Sequence, residues 1–402
     1  MANNLNFAQI STVLNAIYQQ ATGQQAIGIA DTTQFVSVAQ TVLKTGYDNV
    51  LQAISQVLSR TIFSVRPYNA KFKNLMVDSQ KFGNHVRKIN YLDLATVNND
   101  ELPTDPESQS TPTAPLTDGN SIDQWTIKKP KVIQTNFYGG TTYARYITRF
   151  KDQLDVAFSG PEELSRFWSG VMTSLSNQIE QDHEIQARAC IGNLIAGVFL
   201  ANNGYQIVNL LTEYNTLTGQ SLTKADVYKS ANFKAFVQWM FSRVNKACRF
   251  LEERTSLYHQ NISAGTIMRH TPMANLKTFM LEDFKQQLDM MALADTYHDN
   301  YLKLATNEGV AFWQAPTTPD EVLVKPVTLK SDGSLKEDND SVAVTDLVGV
   351  LMDEEAAGMT IINEWSMATP INARGGYSNI WYHWTDRYWN DFTENVIILR
   401  LA

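Results

Sequence analysis

The stretch SGPEELSRFWSGVMTSLSNQIEQDHEIQARACIGNLIAGVFLANNG, residues 159–204, decides how the rest of the chain is read. It opens with a helix-start signal: Ser159, then Pro161 in the first turn and Glu162 three residues after the serine. Apolar residues recur at spacings of three and four through Leu164, Phe167, Trp168, Val171, Leu175 and Ile179. A polar middle at 180–184 follows, and the pattern resumes at Ile185, Ala189, Ile191, Leu194, Ile195, Val198 and Phe199. Asn202, Asn203 and Gly204 form the stop signal, because Asn and Gly tolerate a left-handed cap. No proline interrupts the interior. At 1.5 Å rise per residue this is one helix of roughly 60 Å, far beyond the usual length of about 11–12 residues. So long a helix needs packing partners along its whole length. It reads as a spine on which a flat, multi-part subunit is hung.

Upstream, residues 6–22 have helical spacing (Phe7, Ile10, Val13, Leu14, Ile17) and end at Gly23. A second amphipathic stretch, 31–60, breaks near Gly46 and carries Phe35, Val38, Val42, Val50, Ile54 and Val57. Helical pieces with apolar stripes and no strands make little core alone. Two readings stay open: a cap on the chain's own domain, or an arm that packs on a neighbouring subunit. Residues 85–92 change to a strand-like run. Residues 98–123 are polar, with Pro103, Pro106, Pro112 and Pro115, and have almost nothing to bury, so an exposed loop is predicted. Strand runs return at 125–127 and 132–150. Together these read as a β-hairpin projecting from the body, with a loop longer than the about 12–15 residues beyond which loops are usually functional or disordered.

Downstream of the spine, 205–211 is predicted to be a short strand and 226–254 a helix with Phe233, Phe236, Val237, Met240 and Val244 on one face. Residues 266–269 read as a short strand. Thr271, Pro272 and Met273 start another helix through Leu276, Phe279, Met280 and Phe284. Residues 315–326 are turn-rich, and 330–341 form a second exposed loop. A strand-like run covers 347–352. The end is aromatic, with Trp381, Tyr382, Trp384, Tyr388, Trp389 and Phe392. Residues 395–401 compose a buried strand that ties this end into a central sheet.

The bulk numbers bound the function. With 402 residues, two or three domains are allowed. A net charge of −8 argues against a dedicated nucleic-acid binder, since phosphate contacts need clustered Lys and Arg. Cys190 and Cys248 are the sole cysteines, which gives no disulfide framework and no cysteine metal site and fits a reducing compartment. The opening residues show no secretory signal, and no run of 18 apolar residues predicts a membrane span.

A search for chemistry yields no credible active site. His183 and Glu184 resemble half of a zinc-protease helix, but Ala187 stands where the second histidine is needed, so His183 reads as structural. His259 and His270 flank a strand-like run, yet no third ligand has suitable spacing. Adjacent carboxylates such as Asp353, Glu354 and Glu355 read as solvated turns or helix faces. No nucleophile elbow occurs. The C-terminal aromatics are dense enough to be core. One basic tract, Lys128, Lys129 and Lys131, lies on the return side of the projecting hairpin, beside an excursion carrying Asp100, Glu101, Asp105 and Glu107. It reads either as a solvated hairpin base or as a contact with acidic residues on another subunit.

This order of parts resembles the major capsid protein of tailed bacteriophages, an α+β protein with the Hong Kong 97-type fold. Residues 264–272, AGTIMRHTP, resemble the axial-domain strand and turn of that family. Tyr382, His383 and Trp384, through the run ENVIIL at 394–399, are similar to the closing segment of small podovirus capsid proteins. The resemblance implies a helical N-terminal arm at 1–82 and an extended β-hairpin loop at 83–150. It implies a peripheral domain at 151–225 around the spine 159–204, an axial domain at 226–375, and a C-terminal return at 376–402. It implies a non-enzymatic shell protein that forms pentamers and hexamers around double-stranded DNA, without sequence-specific contacts. No catalytic, cofactor or metal residue and no membrane partner is implied. Scaffolding and portal proteins are the implied partners, the virion the location, and the host cytoplasm the place of assembly. Lys128, Lys129, Lys131, Asp100, Glu101, Asp105 and Glu107 become the intersubunit contact candidates. Some family members join subunits through a Lys–Asn isopeptide bond, but no acceptor or catalytic Glu can be placed here, so that chemistry is not carried over. Two other readings are an encapsulin-type compartment shell and a carbohydrate-active enzyme. The enzyme would need a cleft with two carboxylates about 5–9.5 Å apart.

Overall fold

The computed structural model describes residues 7–24, 28–62, 72, 75, 85–92, 131–263, 265–286, 306–337 and 339–402. Three helices open the chain: α1 (Phe7–Thr22), α2 (Thr32–Lys44) and α3 (Tyr47–Ile62). Asp31 caps α2 by accepting from the Gln34 N–H at 2.7 Å. Gly46, at φ +99°, makes the turn into α3, a conformation that favours glycine. The apolar stripes bury Ile10 and Leu14, Phe35 and Val42, Val50 and Ile54. They share one core with Leu164, Trp168, Val171 and Leu175 of the long helix α5 (Pro161–Ala201) and with Ile380, Tyr382 and Trp384. Of the two readings of this arm, the helices here pack on their own chain.

The spine is thus continuous, and it has two roles. Its first half closes the core under the arm. Its second half, through Ala187, Cys190, Ile191, Leu194, Ile195 and Val198, belongs to a second core around the central sheet. Pro161 at the start, Glu162 and Glu163 in the first turn, and Asn202 as a left-handed cap at φ 37° set its limits. By length and composition α5 could cross a bilayer, but Leu164, Trp168, Val171 and Leu175 in its first half and Ile191, Leu194, Ile195 and Val198 in its second are buried against the rest of the chain.

The central sheet has the order β4-β14-β11-β5-β6, from β4 (Ile207–Asn209), β5 (Leu276–Leu281), β6 (Thr306–Val310), β11 (Leu347–Asp353) and β14 (Val396–Arg400). β11 runs antiparallel to β14 and β5, while β4–β14 and β5–β6 are parallel pairs. Val396, Ile397, Ile398 and Leu399 are all buried, as expected of an inner strand covered on both faces. Helix α8 (Ser230–Glu252) contributes Phe236, Val237, Met240 and Val244 to the same core.

A second sheet has the order β12-β13-β3, all antiparallel, from β3 (Thr141–Phe150), β12 (Ala357–Ala368) and β13 (Tyr377–Asn390). The two arms of the expected hairpin, β1 (His85–Tyr91) and β2 (Val132–Tyr138), form an antiparallel pair in a register from His85↔Tyr138 to Tyr91↔Val132, and the expected loop and strand between them at 98–127 lie outside the described residues.

Several local expectations are corrected. The run 132–150 is two strands, not one hairpin arm: Gly139 at φ +97° ends β2, and β3 then pairs with β13. A Cβ at Gly140 would lie 3.0 Å from Ile362 Cδ1 and 3.2 Å from Thr385 Cγ2, so the chain crosses here in close contact with its neighbours. The helix expected from Thr271 is instead strand β5, followed by a helical turn at 282–286. Leu276, Phe279, Met280 and Leu281 match helical spacing, but a strand buried on both faces loses its alternation, so period alone misassigns it. The expected strand 266–269 is a single bridge, Thr255↔Arg269. The expected helix 226–254 is broken into α7 (Lys224–Val227) and α8, and the strand at 205–211 shortens to β4 before α6 (Leu210–Thr218). Asp353, expected to be solvated, is instead buried as the last residue of β11 and accepts from the Thr271 hydroxyl, whereas Glu354 and Glu355 lie exposed in the turn to β12.

Candidate assembly surfaces

On β1, Arg87, Ile89 and Tyr91 are exposed, whereas Lys88 and Asn90 turn to the body, as strand alternation requires. The Lys88 ammonium meets Asp391 Oδ2 at 3.0 Å and Glu355 Oε2 at 2.8 Å, and pairs with Glu394. Arg269 binds Glu394 Oε1 at 2.9 Å, the Thr393 carbonyl at 3.0 Å and Asn90 Oδ1 at 3.0 Å. Asp391 and Glu394 sit in the turn between β13 and β14, where Asp391 also accepts from the Thr393 N–H and hydroxyl. Burial pushes the Glu394 carboxyl up to about 7 despite Lys88 and Arg269. Burial opposes the Lys88 charge, but Asp391 and Glu394 outweigh it and raise the ammonium to about 12. The root of the hairpin is therefore held by charge as well as by strand pairing.

The second sheet has two unlike faces. Tyr382 and Trp384 point into the core below the arm. The alternate positions form an aromatic row on the other face. Trp365 stacks on His383 with centroids 3.8 Å apart, and Trp381 stacks on Tyr146 at 4.5 Å. Met367, opposite Trp381 in register, is 61% exposed and Tyr146 57%. The neighbouring outward positions are Thr142, Ala144, Thr148, Asn363, Asn379 and Thr385, with no Lys, Arg, Asp or Glu among them. A sheet face left in water ordinarily carries charge, so this uncharged aromatic one is a candidate contact surface.

Of the sequence-predicted contact residues, Lys131 is exposed just before β2, and its carbonyl accepts the Leu92 N–H at 2.9 Å. Lys128, Lys129, Asp100, Glu101, Asp105 and Glu107 lie outside the described residues. The Lys88 cluster was missed because its members are scattered along the chain: Lys88 and Asp391 are separated by 303 positions. Its only local signal is the acid–polar run DFTEN at 391–395, which is not distinctive.

Two of the histidines and both cysteines are buried. His183 is buried at mid-spine, with Nε2 3.5 Å from Asp386 Oδ2, Nδ1 4.0 Å from Glu180 Oε2, and its ring edge-on to Trp384. His259 bonds Asn395 and the Ile267 carbonyl. Cys190 and Cys248 are buried, and burial pushes their thiols up to about 12 and about 11. Among the described residues no cluster of His, Cys, Asp and Glu is arranged to hold a metal ion.

A family model described as Phi29-like phage major capsid protein matches residues 14–400. Among solved structures, the capsid structure of Staphylococcus phage Andhra shares 12% identity at TM-score 0.54, covering 83% of this chain and 84% of that one. A chain from the structure of the head fiber and inner core protein gp22 of native bacteriophage P68 shares 11% identity at TM-score 0.50, covering 83% and 85%. Both likenesses are of fold. No curated protein matches.

Proposed function

The chain belongs to the Phi29-like phage major capsid protein family, and we propose that it closes its shell from pentamers and hexamers around a double-stranded DNA genome. As a major capsid protein it forms the virion's shell by associating with copies of itself, a structural rather than an enzymatic task. The family match disfavours the encapsulin-type compartment and the carbohydrate-active enzyme. The match over nearly the whole chain carries this conclusion, and the uncharged aromatic sheet face supports it, because a shell subunit must offer surfaces to its neighbours. We read the division as arm 1–82, extended loop 83–150, peripheral domain 151–225, axial domain 226–375 and C-terminal return 376–402. Assembly takes place in the host cytoplasm, with scaffolding and portal proteins as partners. The DNA meets a net-negative subunit that does not clamp it by sequence.

In this reading the charges of the extended loop, Lys128, Lys129, Lys131, Asp100, Glu101, Asp105 and Glu107, meet partners across a subunit boundary. Exposed pairs are each worth about 0–1 kcal/mol, but a shell repeats them at every boundary. The experiment is electron microscopy of purified wild type and of the triple Lys→Glu variant at low and high salt, with circular dichroism of both. Wild type should close into shells. The variant should stay folded and form fewer shells, with a loss that depends on salt. A wild-type protein that remains a homogeneous monomer at high concentration would oppose the shell reading. Intact, salt-insensitive variant shells would make the lysines a solvated hairpin base.

A further inference from the structure

We propose that Lys88, Glu394, Asp391 and Arg269 form a proton-operated latch that fixes the root of the β1–β2 hairpin to the turn before the last central strand. The latch is defined by packing inside one subunit, so its test is independent of shell formation.

The geometry joins three separate pieces of the chain. Lys88 comes from β1, Arg269 from the segment after α8, and Asp391 and Glu394 from the β13–β14 turn. Glu355, from the β11–β12 turn, reaches the same ammonium from the solvent side. Asp353 and His259 stand one layer further in: the Asn395 carbonyl accepts the Asp353 N–H, and His259 bonds the Asn395 side chain. Burial lowers the His259 pKa, so that ring stays neutral and does not compete for the proton near neutrality. With Glu394 ionised, two cations face three carboxylates; with Glu394 protonated, two face two. The surplus carboxylate favours uptake of one proton, and Glu394, buried where Glu355 is 63% exposed, is raised by that burial although Lys88 and Arg269 oppose it.

Opening means that β1 lifts from the turn and water reaches Glu394. An open Glu394 returns to its ordinary value near 4.5, whereas the closed one lies at about 7. The closed state thus binds the proton more tightly, and acid favours closure. Below the ordinary value both states are protonated and pH has no effect. Between the two values the opening equilibrium rises roughly tenfold per pH unit, and above about 7 it levels off. Lys88 ionises far above this window and adds no slope within it.

The test is hydrogen–deuterium exchange read by mass spectrometry on the unassembled full-length subunit, from about pH 5.5 to about pH 8, corrected for intrinsic exchange. Protection of 87–91 and 133–137 should fall roughly tenfold per unit up to about pH 7, while β14 keeps its protection. Glu394→Gln should abolish the slope and keep the hairpin protected. Should that variant not fold, Lys88→Met serves instead: without the ammonium, Glu394 holds its proton to higher pH and the step moves upward. Flat wild-type protection, an unchanged slope in Glu394→Gln, or an unmoved step in Lys88→Met would each overturn the latch.

Discussion

Leu175 stands in the first apolar run of α5, 2% exposed, in the core shared by arm, spine and β13. Replacing it by Asp has two costs. Removing a buried leucine side chain costs about 2–5 kcal/mol, depending on how well the site collapses. The new carboxyl enters an apolar core and must hold its proton at pH 7, about three units above its ordinary value, which costs about 4 kcal/mol. The sum, about 6–9 kcal/mol, is comparable with the whole stability of a typical domain, about 5–15 kcal/mol. Leu175→Asp should therefore give insoluble or unfolded protein. The control is Ile185→Asp, ten residues along the same helix but 57% exposed, which should change subunit stability by no more than about 0.5 kcal/mol. The assay is soluble yield after expression followed by a circular dichroism melt. Soluble Leu175→Asp with the wild-type melting temperature, or greater damage from Ile185→Asp, would refute the assignment of the buried stripe.

Gly197 faces the aromatic ring of Phe392 so closely that an added Cβ would lie 2.4 Å from its Cε1. Gly197→Val should cost about 1–3 kcal/mol by overpacking, read as a lower urea midpoint; an unchanged midpoint would mean that helix and turn are looser than they stand. Cys190 and Cys248, buried and with thiols pushed up to about 12 and about 11, should resist alkylation in the native protein and react fully after denaturation. Rapid labelling of the folded chain would contradict their burial.

The sequence was most legible where periodicity and punctuation agreed. Pro161 and Asn202 bracket a stripe at spacings of three and four, and the helix begins and ends within three residues of those signals' reading. Asp31 and Gly46 served the arm in the same way. Legibility failed where burial on both faces erased the pattern, as in β5, where Leu276, Phe279, Met280 and Leu281 read as a helix face. It failed again at 357–390, where the first strand of the long ribbon carries no reading and the second reads only as an aromatic-rich end from Trp381. The strands there pair across the chain with β3, at Trp381↔Tyr146 and Tyr382↔Arg145, and no local signal announces so distant a neighbour.

The aromatic ribbon also shows what composition conceals and parity reveals. Counted together, Trp381, Tyr382, His383 and Trp384 look like one core segment. In an extended strand successive side chains leave opposite faces, so the set divides in two. Tyr382 and Trp384 are buried beneath the arm, whereas Trp381 and His383 join Trp365 and Tyr146 on the outer face. The inner pair is explained by the subunit alone. The outer row is left partly exposed by the described residues, and its neighbours are uncharged in a chain that is 18% charged. Stacked, half-exposed tryptophans on an open sheet leave apolar area in water, at about 25 cal/mol per Å². A subunit that meets copies of itself recovers that free energy at every contact.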